Sequence, residues 1–335
     1  MKATRITFQS ALWLTIGWIL CFVNSVAQTK YIKANGITIA YESFGDTAAE
    51  TILLIHGTGA QLVDWPVEFC EALANRGYRV IRFDNRDVGL STKFDSLGAP
   101  DWEAIKPFLK KCEPAPLPYT LVDMAEDATG LLDALNIEKA HIVGGSMGGA
   151  IAQLITINHP EKVLTLTSIM SSSGNPDLPQ GDEKAIKAMN TPPPNTKNPD
   201  TLATYLVNRY KAQGSLDDEA TLRKKALLHI NRSWYPEGTT RQVAAELIGD
   251  NCDRRAALAK IQVPTMVIHG DADPLVKLAC GKEVAAVIPH AQLFVVNGMG
   301  HVLSDKFIQT VTDGIINNTK SIEEESNKVT YYAKQ

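Results

Sequence analysis

What the 335-residue sequence lacks is the first guide to its function. It contains no C-x-x-C and no H-E-x-x-H pattern, so nothing in it predicts a structural or catalytic metal. It contains no basic run, and its net charge of -4 argues against nucleic acid as a partner. A hydrophobic content of 44% is instead typical of a globular chain. We therefore expect one large core with a smaller appended unit.

The N-terminus has the pattern of an export signal. Lys2 and Arg5 are followed by an apolar stretch at 11–26, and small residues stand at the -3 and -1 positions of a cleavage site that ends at Ala27. We predict a signal peptide over residues 1–27 and a periplasmic or secreted mature chain, with no stable membrane insertion after signal removal. The alternative is a retained membrane anchor, for which the apolar stretch is slightly short.

Cysteine is scarce, with five residues in the chain. Four of them lie beyond the predicted signal: Cys70, Cys112, Cys252 and Cys280. In an exported protein four cysteines permit two disulfides, in three possible pairings. A chain of this length does not need disulfides to fold, so the sequence leaves the state of these cysteines open.

Short apolar runs alternate with helical patterns through most of the chain. The runs are 31–44, which Asn35-Gly36 divides into two antiparallel strands, and then 51–55, 79–83, 140–143, 163–170, 263–269 and 293–296. Continuous apolar runs of this kind are typical of strands that helices bury on both faces. The pattern predicts an α/β fold with an eight-stranded, mostly parallel sheet and helices on both faces.

The alternation stops between residues 174 and 250. A proline-rich stretch is followed there by three helical patterns, at 202–212, 218–230 and 240–248, with no strand between them. We therefore predict a first part of the core at 28–173, a helical cap at 174–250 and a second part of the core at 251–318. A helix over 302–317 closes the core, and a polar C-terminal tail follows at 319–335.

The segment Gly144-Gly145-Ser146-Met147-Gly148-Gly149 contains the G-x-S-x-G pattern of a nucleophile elbow. An apolar strand precedes it and an apolar helix follows it, as that motif requires. Its glycines allow a strained serine backbone to lie close to the neighbouring strand and helix. We predict that Ser146 is a nucleophile. The alternative is a glycine-rich turn that happens to contain a serine.

A serine hydroxyl needs a base to take its proton, and the base needs a carboxylate to orient it. His301 follows the last predicted strand and is the predicted base. Asp273 follows the strand before it and is the predicted acid, with Asp271 and Asp177 as alternatives. The chain order of nucleophile, acid and histidine is that of the hydrolase elbow. The other histidines are expected to have structural or surface roles: His56, His141, His159, His229, His269 and His290.

The oxyanion that forms during acyl transfer needs preorganised N–H donors. The N–H of Met147, at the start of a helix, is the first predicted donor. The second is the N–H of Thr58, in the segment His56-Gly57-Thr58-Gly59 after the third strand. The alternative for this segment is a plain turn between a strand and a helix.

Five motifs occur in this order: HGTG at 56–59, DNRDVGLS at 84–91, GGSMGG at 144–149, HGDADPLV at 269–276 and GMGH at 298–301. Together they resemble the α/β-hydrolase superfamily, over about residues 31–318. The resemblance is to the esterase branch that also holds haloperoxidase-like and aclacinomycin-methylesterase-like enzymes. It implies that Ser146, Asp273 and His301 match the family triad, and that Thr58 and Met147 match its oxyanion residues.

The resemblance also assigns a structural role to the turn at 84–91. One departure is that Lys277 follows Val276, where the family often has a second proline.

The expected function is a serine hydrolase that cleaves small-molecule carboxylic esters through an acyl-enzyme, with no cofactor. The same triad could act on amides or peptides, on carbon-carbon bonds, or in perhydrolysis with peroxide. A non-catalytic, ligand-binding member of the superfamily is an alternative of another class. The cap is expected to set substrate choice, with Met189, Tyr205, Trp234 and Tyr235 as candidates to line the pocket. The sequence does not predict the oligomeric state.

Overall fold

A computed structural model describes residues 28–109, 111–250 and 252–332. The predicted signal peptide lies outside the described residues. The strands are β1 (Lys30–Ala34), β2 (Ile37–Phe44), β3 (Thr51–Ile55), β4 (Arg79–Phe83), β5 (Ala140–Gly145), β6 (Val163–Ile169), β7 (Thr265–Gly270) and β8 (Gln292–Val296). They form one sheet in the order β1-β2-β4-β3-β5-β6-β7-β8.

The predicted eight-stranded, mostly parallel sheet is confirmed. The β1–β2 and β2–β4 pairs are antiparallel and every other pair is parallel. Asn35 and Gly36, which join the first two strands, have φ of 46° and 76°, as a type I′ turn requires. Every residue of β3 is buried, which explains its continuous apolar run.

The helices are α1 (Val67–Ala74), α2 (Trp102–Ile105), α3 (Leu121–Ala134), α4 (Met147–Asn158), α5 (Glu183–Asn190), α6 (Pro199–Ala212), α7 (Glu219–Arg232), α8 (Pro236–Asp250), α9 (Arg255–Leu258), α10 (Leu278–Val287) and α11 (Ile308–Tyr332). Helices α1 and α11 contribute to the apolar core on one face of the sheet. Helices α3, α4 and α10 contribute to the core on the other face. The predicted layers on both faces are therefore present.

Five helices of the described chain, α5 to α9, lie between β6 and β7, and the first four of them fall at 174–250, where the sequence predicts the cap. The sequence did not predict α5, because prolines flank its eight residues. Helices α6 and α7 share an apolar cluster that includes Leu206 and Leu222. Helix α8 packs elsewhere: its Ala244 and Ile248 cluster with Ile105 of α2.

The C-terminal helix differs from its prediction at both ends. Helix α11 begins at Ile308, after a short 3-10 turn, and continues to Tyr332, past the predicted start of the tail at 319. Thr319 is buried and its hydroxyl lies 2.8 Å from the Tyr78 hydroxyl, so this part of the helix still packs on the core. Across the described residues, no helix is both long and apolar enough to span a bilayer.

A disulfide joins Cys112 to Cys252, across 140 residues of sequence. It links the segment before α3 to the end of the cap. The sequence left the pairing open because nothing local relates these two positions. Cys70 and Cys280 are both buried.

Candidate active site

Four segments that carry predicted site residues follow the carboxyl ends of parallel strands. Thr58 follows β3, Ser146 follows β5, Asp273 follows β7 and His301 follows β8. Because these strands run in the same direction, their carboxyl ends lie along one edge of the sheet. The topology therefore gathers the four segments at that edge.

The backbone of Ser146 has the strained conformation expected of an elbow, with φ of 55° and ψ of -125°. The flanking glycines are required by close packing. A Cβ on Gly144 would lie 2.0 Å from the Gly148 carbonyl oxygen, and one on Gly148 would lie 2.2 Å from that of Ile55. The Ser146 N–H donates to the carbonyl of Ile169 on β6, at 2.9 Å, which fixes the turn to the sheet.

Ser146, His301 and Asp273 form a continuous hydrogen-bonded chain. His301 Nε2 lies 2.9 Å from Ser146 Oγ, and His301 Nδ1 lies 2.8 Å from Asp273 Oδ2. Because a carboxylate only accepts hydrogen bonds, Nδ1 carries the proton and Nε2 can accept the proton of the serine hydroxyl. The arrangement can transfer a proton from Ser146 to His301.

The Asp273 carboxylate is 3% exposed, and its environment keeps it ionised. Burial alone would raise its pKa, but the charge of His301 and the hydrogen bond to it outweigh burial and lower the pKa below its usual value. The backbone N–H groups of Leu275 and Val276 also donate to Asp273 Oδ1, at 2.8 and 2.9 Å. The carboxylate is thus held in the form that orients His301.

The two alternative acids are exposed, unlike Asp273. Asp271 is exposed and accepts a hydrogen bond from the N–H of Gly298, at 2.6 Å, so it fixes the turn after β8. Asp177 is exposed, in the loop that leads to α5. Of the three aspartates, it is Asp273 that hydrogen-bonds to His301.

Of the other histidines, His269 contacts the site, with its Nε2 3.6 Å from Asp273 Oδ2. The His56 ring packs against Trp65 at a tilt of 50°, with ring centres 4.6 Å apart, and burial lowers the pKa of His56 despite the opposing charge of Asp64. His269 Nε2 lies 2.8 Å from the Val276 carbonyl. His290 is exposed. The remaining three bond to neighbouring side chains: His141 to Thr165, His159 to Glu126 and His229 to Asp64.

The two predicted oxyanion residues lie next to the nucleophile. A Cβ on Gly57 would be 3.0 Å from Ser146 Cβ, so the segment that carries Thr58 runs directly beside the serine. Thr58 Oγ1 lies 3.3 Å from Met147 Sδ. Met147 is the first residue of α4, where the helix dipole favours negative charge.

The turn at 84–91 is held in place by hydrogen bonds and close packing around Asp84. The Asp84 carboxylate accepts hydrogen bonds from the N–H groups of Leu62 and Leu90, both at 2.7 Å. Gly89 passes so close that a Cβ there would lie 2.1 Å from the Asp84 carboxyl carbon. Asp84 also pairs with Arg232 of α7, at 2.8 Å, so this turn contributes to docking the cap.

Three contacts from the cap to the site have no signal in the sequence. The N–H of His301 donates to the carbonyl of Gln213 at 2.7 Å, and the N–H of Gly59 donates to Gln242 Oε1 at 2.7 Å. The Thr58 hydroxyl donates to the Glu246 carboxylate. Polar residues on amphipathic helices are usually solvent-exposed, so their spacing alone does not identify such contacts.

The four candidate pocket residues of the cap make contacts with other cap residues and, for Tyr235, with Asp95. Tyr205 and Trp234 form an edge-to-face pair with ring centres 6.4 Å apart. Met189 Sδ accepts a hydrogen bond from Gln213, at 2.7 Å. The Tyr235 hydroxyl bonds to Arg241 and Asp95. Among the described residues, no group of three or more His, Cys, Asp or Glu side chains could hold a metal ion.

The sequence is similar to a family of known proteins and to several of its members. A family model described as alpha/beta hydrolase fold matches residues 50–306. Rhodomycin D methylesterase DauP of Streptomyces sp. (strain C5) is 28% identical over 296 residues, which cover 82% of this chain and 92% of that protein. A 2-hydroxy-6-oxononadienedioate/2-hydroxy-6-oxononatrienedioate hydrolase of Cupriavidus pinatubonensis is 29% identical over 76% of this chain and 81% of its own length.

The solved structures show the same fold. A meta-cleavage product hydrolase from Pseudomonas fluorescens IP01 superimposes with a TM-score of 0.65 at 23% identity, covering 86% of this chain and 97% of that one.

Proposed function

The chain belongs to the α/β-hydrolase fold family, and on that premise we propose that it is a serine hydrolase that cleaves carboxylic esters. The observation that carries the proposal is the hydrogen-bonded chain from Ser146 through His301 to the buried, ionised Asp273. A serine at an elbow, a base within hydrogen-bond distance and an orienting carboxylate are the three parts that acyl transfer needs.

In the proposed mechanism, Ser146 Oγ attacks the ester carbonyl carbon while His301 Nε2 takes the hydroxyl proton. The oxyanion accepts hydrogen bonds from the N–H groups of Thr58 and Met147. His301 then gives its proton to the departing alcohol, leaving an acyl group on Ser146. A water molecule attacks this acyl-enzyme with His301 as base, which releases the acid and restores the serine. Every group used is a side chain or a backbone amide, so the proposal includes no cofactor.

The proposed substrate is a small-molecule ester. The similarity to rhodomycin D methylesterases, at 28% and 27% identity, supports ester hydrolysis. The similarity to 2-hydroxy-6-oxononadienedioate hydrolases makes such dienoates the second substrate class to test.

The test is hydrolysis of a panel of esters, lactones, amides and a 2-hydroxy-6-oxo-dienoate by wild type, Ser146→Ala and Ser168→Ala. Ser168 is a buried serine on the next strand and serves as the matched control. We expect ester turnover that falls by about 10³-fold or more in Ser146→Ala and persists in Ser168→Ala. Ester turnover by Ser146→Ala at the wild-type rate contradicts the proposal. A folded wild type inactive on the whole panel favours a ligand-binding protein instead.

We also propose that the chain is exported and cleaved after Ala27. The charged start, the apolar stretch and the small residues before Gln28 support this. The Cys112–Cys252 disulfide is consistent with it, because disulfides persist in oxidising compartments. Intact mass of the protein from a periplasmic or culture fraction tests the proposal, with Gln28 as the expected first residue. A full-length chain retained in membranes contradicts it.

A further inference from the structure

The oxyanion loop, defined here as residues 57–59, is held by the cap as well as by the core. One face of α8 carries Thr239, Gln242 and Glu246, whose spacing of three and four residues places them on the same side of the helix. Gln242 Oε1 accepts from the N–H of Gly59 at 2.7 Å, and Glu246 accepts from the Thr58 hydroxyl. A single helix face therefore contacts successive residues of this loop.

Helix and loop approach too closely for any side chain between them. Gly59 has φ of +73°, and a Cβ at this position would lie 2.7 Å from Thr239 Cγ2. Glycine is therefore required both by backbone conformation and by space. The close approach is what lets the short Gln242 amide reach the loop backbone.

Gln242 is 0% exposed, and both ends of its amide have partners. While Oε1 accepts from Gly59, Nε2 donates to the Arg86 carbonyl at 2.7 Å. A reversed amide would place a donor against the N–H of Gly59 and an acceptor against a carbonyl. The bonds thus fix the orientation of the amide, and Gln242 bridges the loop after β3 to the turn after β4.

Helix α8 is itself firmly held, so it can act as a support. Arg241 makes two hydrogen bonds to the Asp87 carboxylate, at 2.7 and 2.9 Å, and both side chains are buried. The helix ends two residues before Cys252, which the disulfide joins to Cys112. A displacement of α8 would have to break a buried ion pair.

We propose that Gln242 is a positioning residue for the oxyanion hole, an inference that rests on the serine hydrolase function proposed above. Its bond to the N–H of Gly59 fixes the peptide that joins Thr58 to Gly59. That peptide adjoins the one that carries the N–H of Thr58, so the bond aims the donor at the oxyanion. Misdirecting a donor loses part of the roughly 10²- to 10³-fold that one oxyanion donor contributes to kcat.

The test compares Gln242→Leu, which removes both bonds, with Gln242→Glu, which keeps an oxygen for Gly59 but removes the Arg86 bond. Asn318→Leu removes a buried amide that bonds the Leu166 carbonyl, remote from the proposed oxyanion hole, and is the matched structural control. For an ester substrate, we expect Gln242→Leu to lower kcat at least about 10-fold with little change in KM. Asn318→Leu should stay within about threefold of the wild-type kcat, since the loop contact survives. Gln242→Glu keeps an acceptor for Gly59 but places a second acceptor against the Arg86 carbonyl, so its kcat should fall, though less than that of Gln242→Leu.

Equal kcat for Gln242→Leu and wild type, or equal losses in Gln242→Leu, Gln242→Glu and Asn318→Leu, would overturn the inference. If Gln242→Leu does not fold, Gln242→Asn replaces it, because its shorter side chain withdraws the acceptor while remaining polar. A kcat loss in Gln242→Asn with unchanged KM supports the inference, and a wild-type kcat overturns it. Labelling of Ser146 by a fluorophosphonate in wild type separates the two proposals. If Ser146 is labelled but substitution of Gln242 leaves kcat unchanged, the positioning role is wrong and the serine hydrolase function still stands.

Discussion

Asp273 illustrates how neighbours decide the state of a buried residue. Burial opposes its charge, but His301 and two backbone N–H groups stabilise that charge and lower its pKa. Asp271, two residues earlier, lies in the same loop but is exposed and bonds to Gly298. The sequence places all three candidate aspartates after strands and does not show the hydrogen bonds that distinguish Asp273.

At this scale we predict that Asp273→Asn lowers kcat by about 10³- to 10⁴-fold, because an amide does not hold His301 in the required tautomer. Asp271→Asn is the matched control and should remain within about twofold of wild type, since its amide oxygen can still accept from Gly298. Steady-state kinetics on one ester substrate measures both. A comparable loss in Asp271→Asn would show that the loop, not the Asp273 carboxylate, is responsible.

The lowered pKa of Asp273 also predicts a pH dependence of stability. A carboxyl whose pKa is lower in the folded state stabilises the fold above its unfolded pKa of about 4 and loses this contribution as pH falls through the folded value. The difference in unfolding free energy between wild type and Asp273→Asn should therefore be constant above about pH 5 and change in favour of the variant below about pH 4. Urea unfolding from pH 3 to 7 measures it. A pH-independent difference contradicts the ionised state.

Among the elements, α8 shows how the cap is attached to the core. The Arg241–Asp87 pair has exposed side-chain fractions of 2% and 0%, whereas the Arg223–Asp200 pair of the cap surface has 40% and 73%. Removing one partner of a buried pair leaves an uncompensated charge, but an exposed pair is worth little. These two pairs should therefore contribute very differently to stability.

We predict that Arg241→Met lowers the free energy of unfolding by about 3–5 kcal/mol and that Arg223→Met lowers it by about 1 kcal/mol or less. Chemical denaturation at neutral pH gives both values. Similar effects of the two substitutions would mean that the Arg241 contact does not attach the cap.

The elements differ in how far the sequence predicts them. A central strand such as β3 is predictable because burial on both faces requires a continuous apolar run, and β1 and β2 are predictable from the Asn35-Gly36 turn between them. The start of α11 is not, because the apolar pattern that begins at Val302 crosses an irregular segment and the 3-10 turn Asp305–Phe307 before the helix begins at Ile308. The Gln242 contact cannot be predicted from the sequence, because its partner Gly59 lies 183 residues away and local spacing of residues does not indicate contacts at that distance along the chain.

In the whole molecule, the Cys112–Cys252 disulfide is a covalent constraint between residues far apart in sequence. It closes 140 residues that include β5, β6 and the helices α3 to α8. A cross-link over so long a segment restricts the unfolded chain strongly. Each candidate site residue follows an apolar run in the sequence, which is what makes it a candidate. No such signal relates Cys112 to Cys252, because loop residues have no periodicity that connects them.

We predict that reduction of this disulfide destabilises the protein by about 2–4 kcal/mol. Denaturant unfolding with and without dithiothreitol measures the effect. Cys112→Ser should unfold at the same denaturant concentration as reduced wild type and should not respond to the reductant. Sensitivity of Cys112→Ser to dithiothreitol would assign the effect to another group.

The most direct test of the central claim, that Ser146 is the nucleophile, is peptide mass spectrometry after treatment with a fluorophosphonate. We predict one adduct, on the peptide that contains Ser146, which a hydrolysable ester slows and which Ser146→Ala abolishes. A folded wild-type protein that forms no adduct, or an adduct that persists in Ser146→Ala, would contradict the claim.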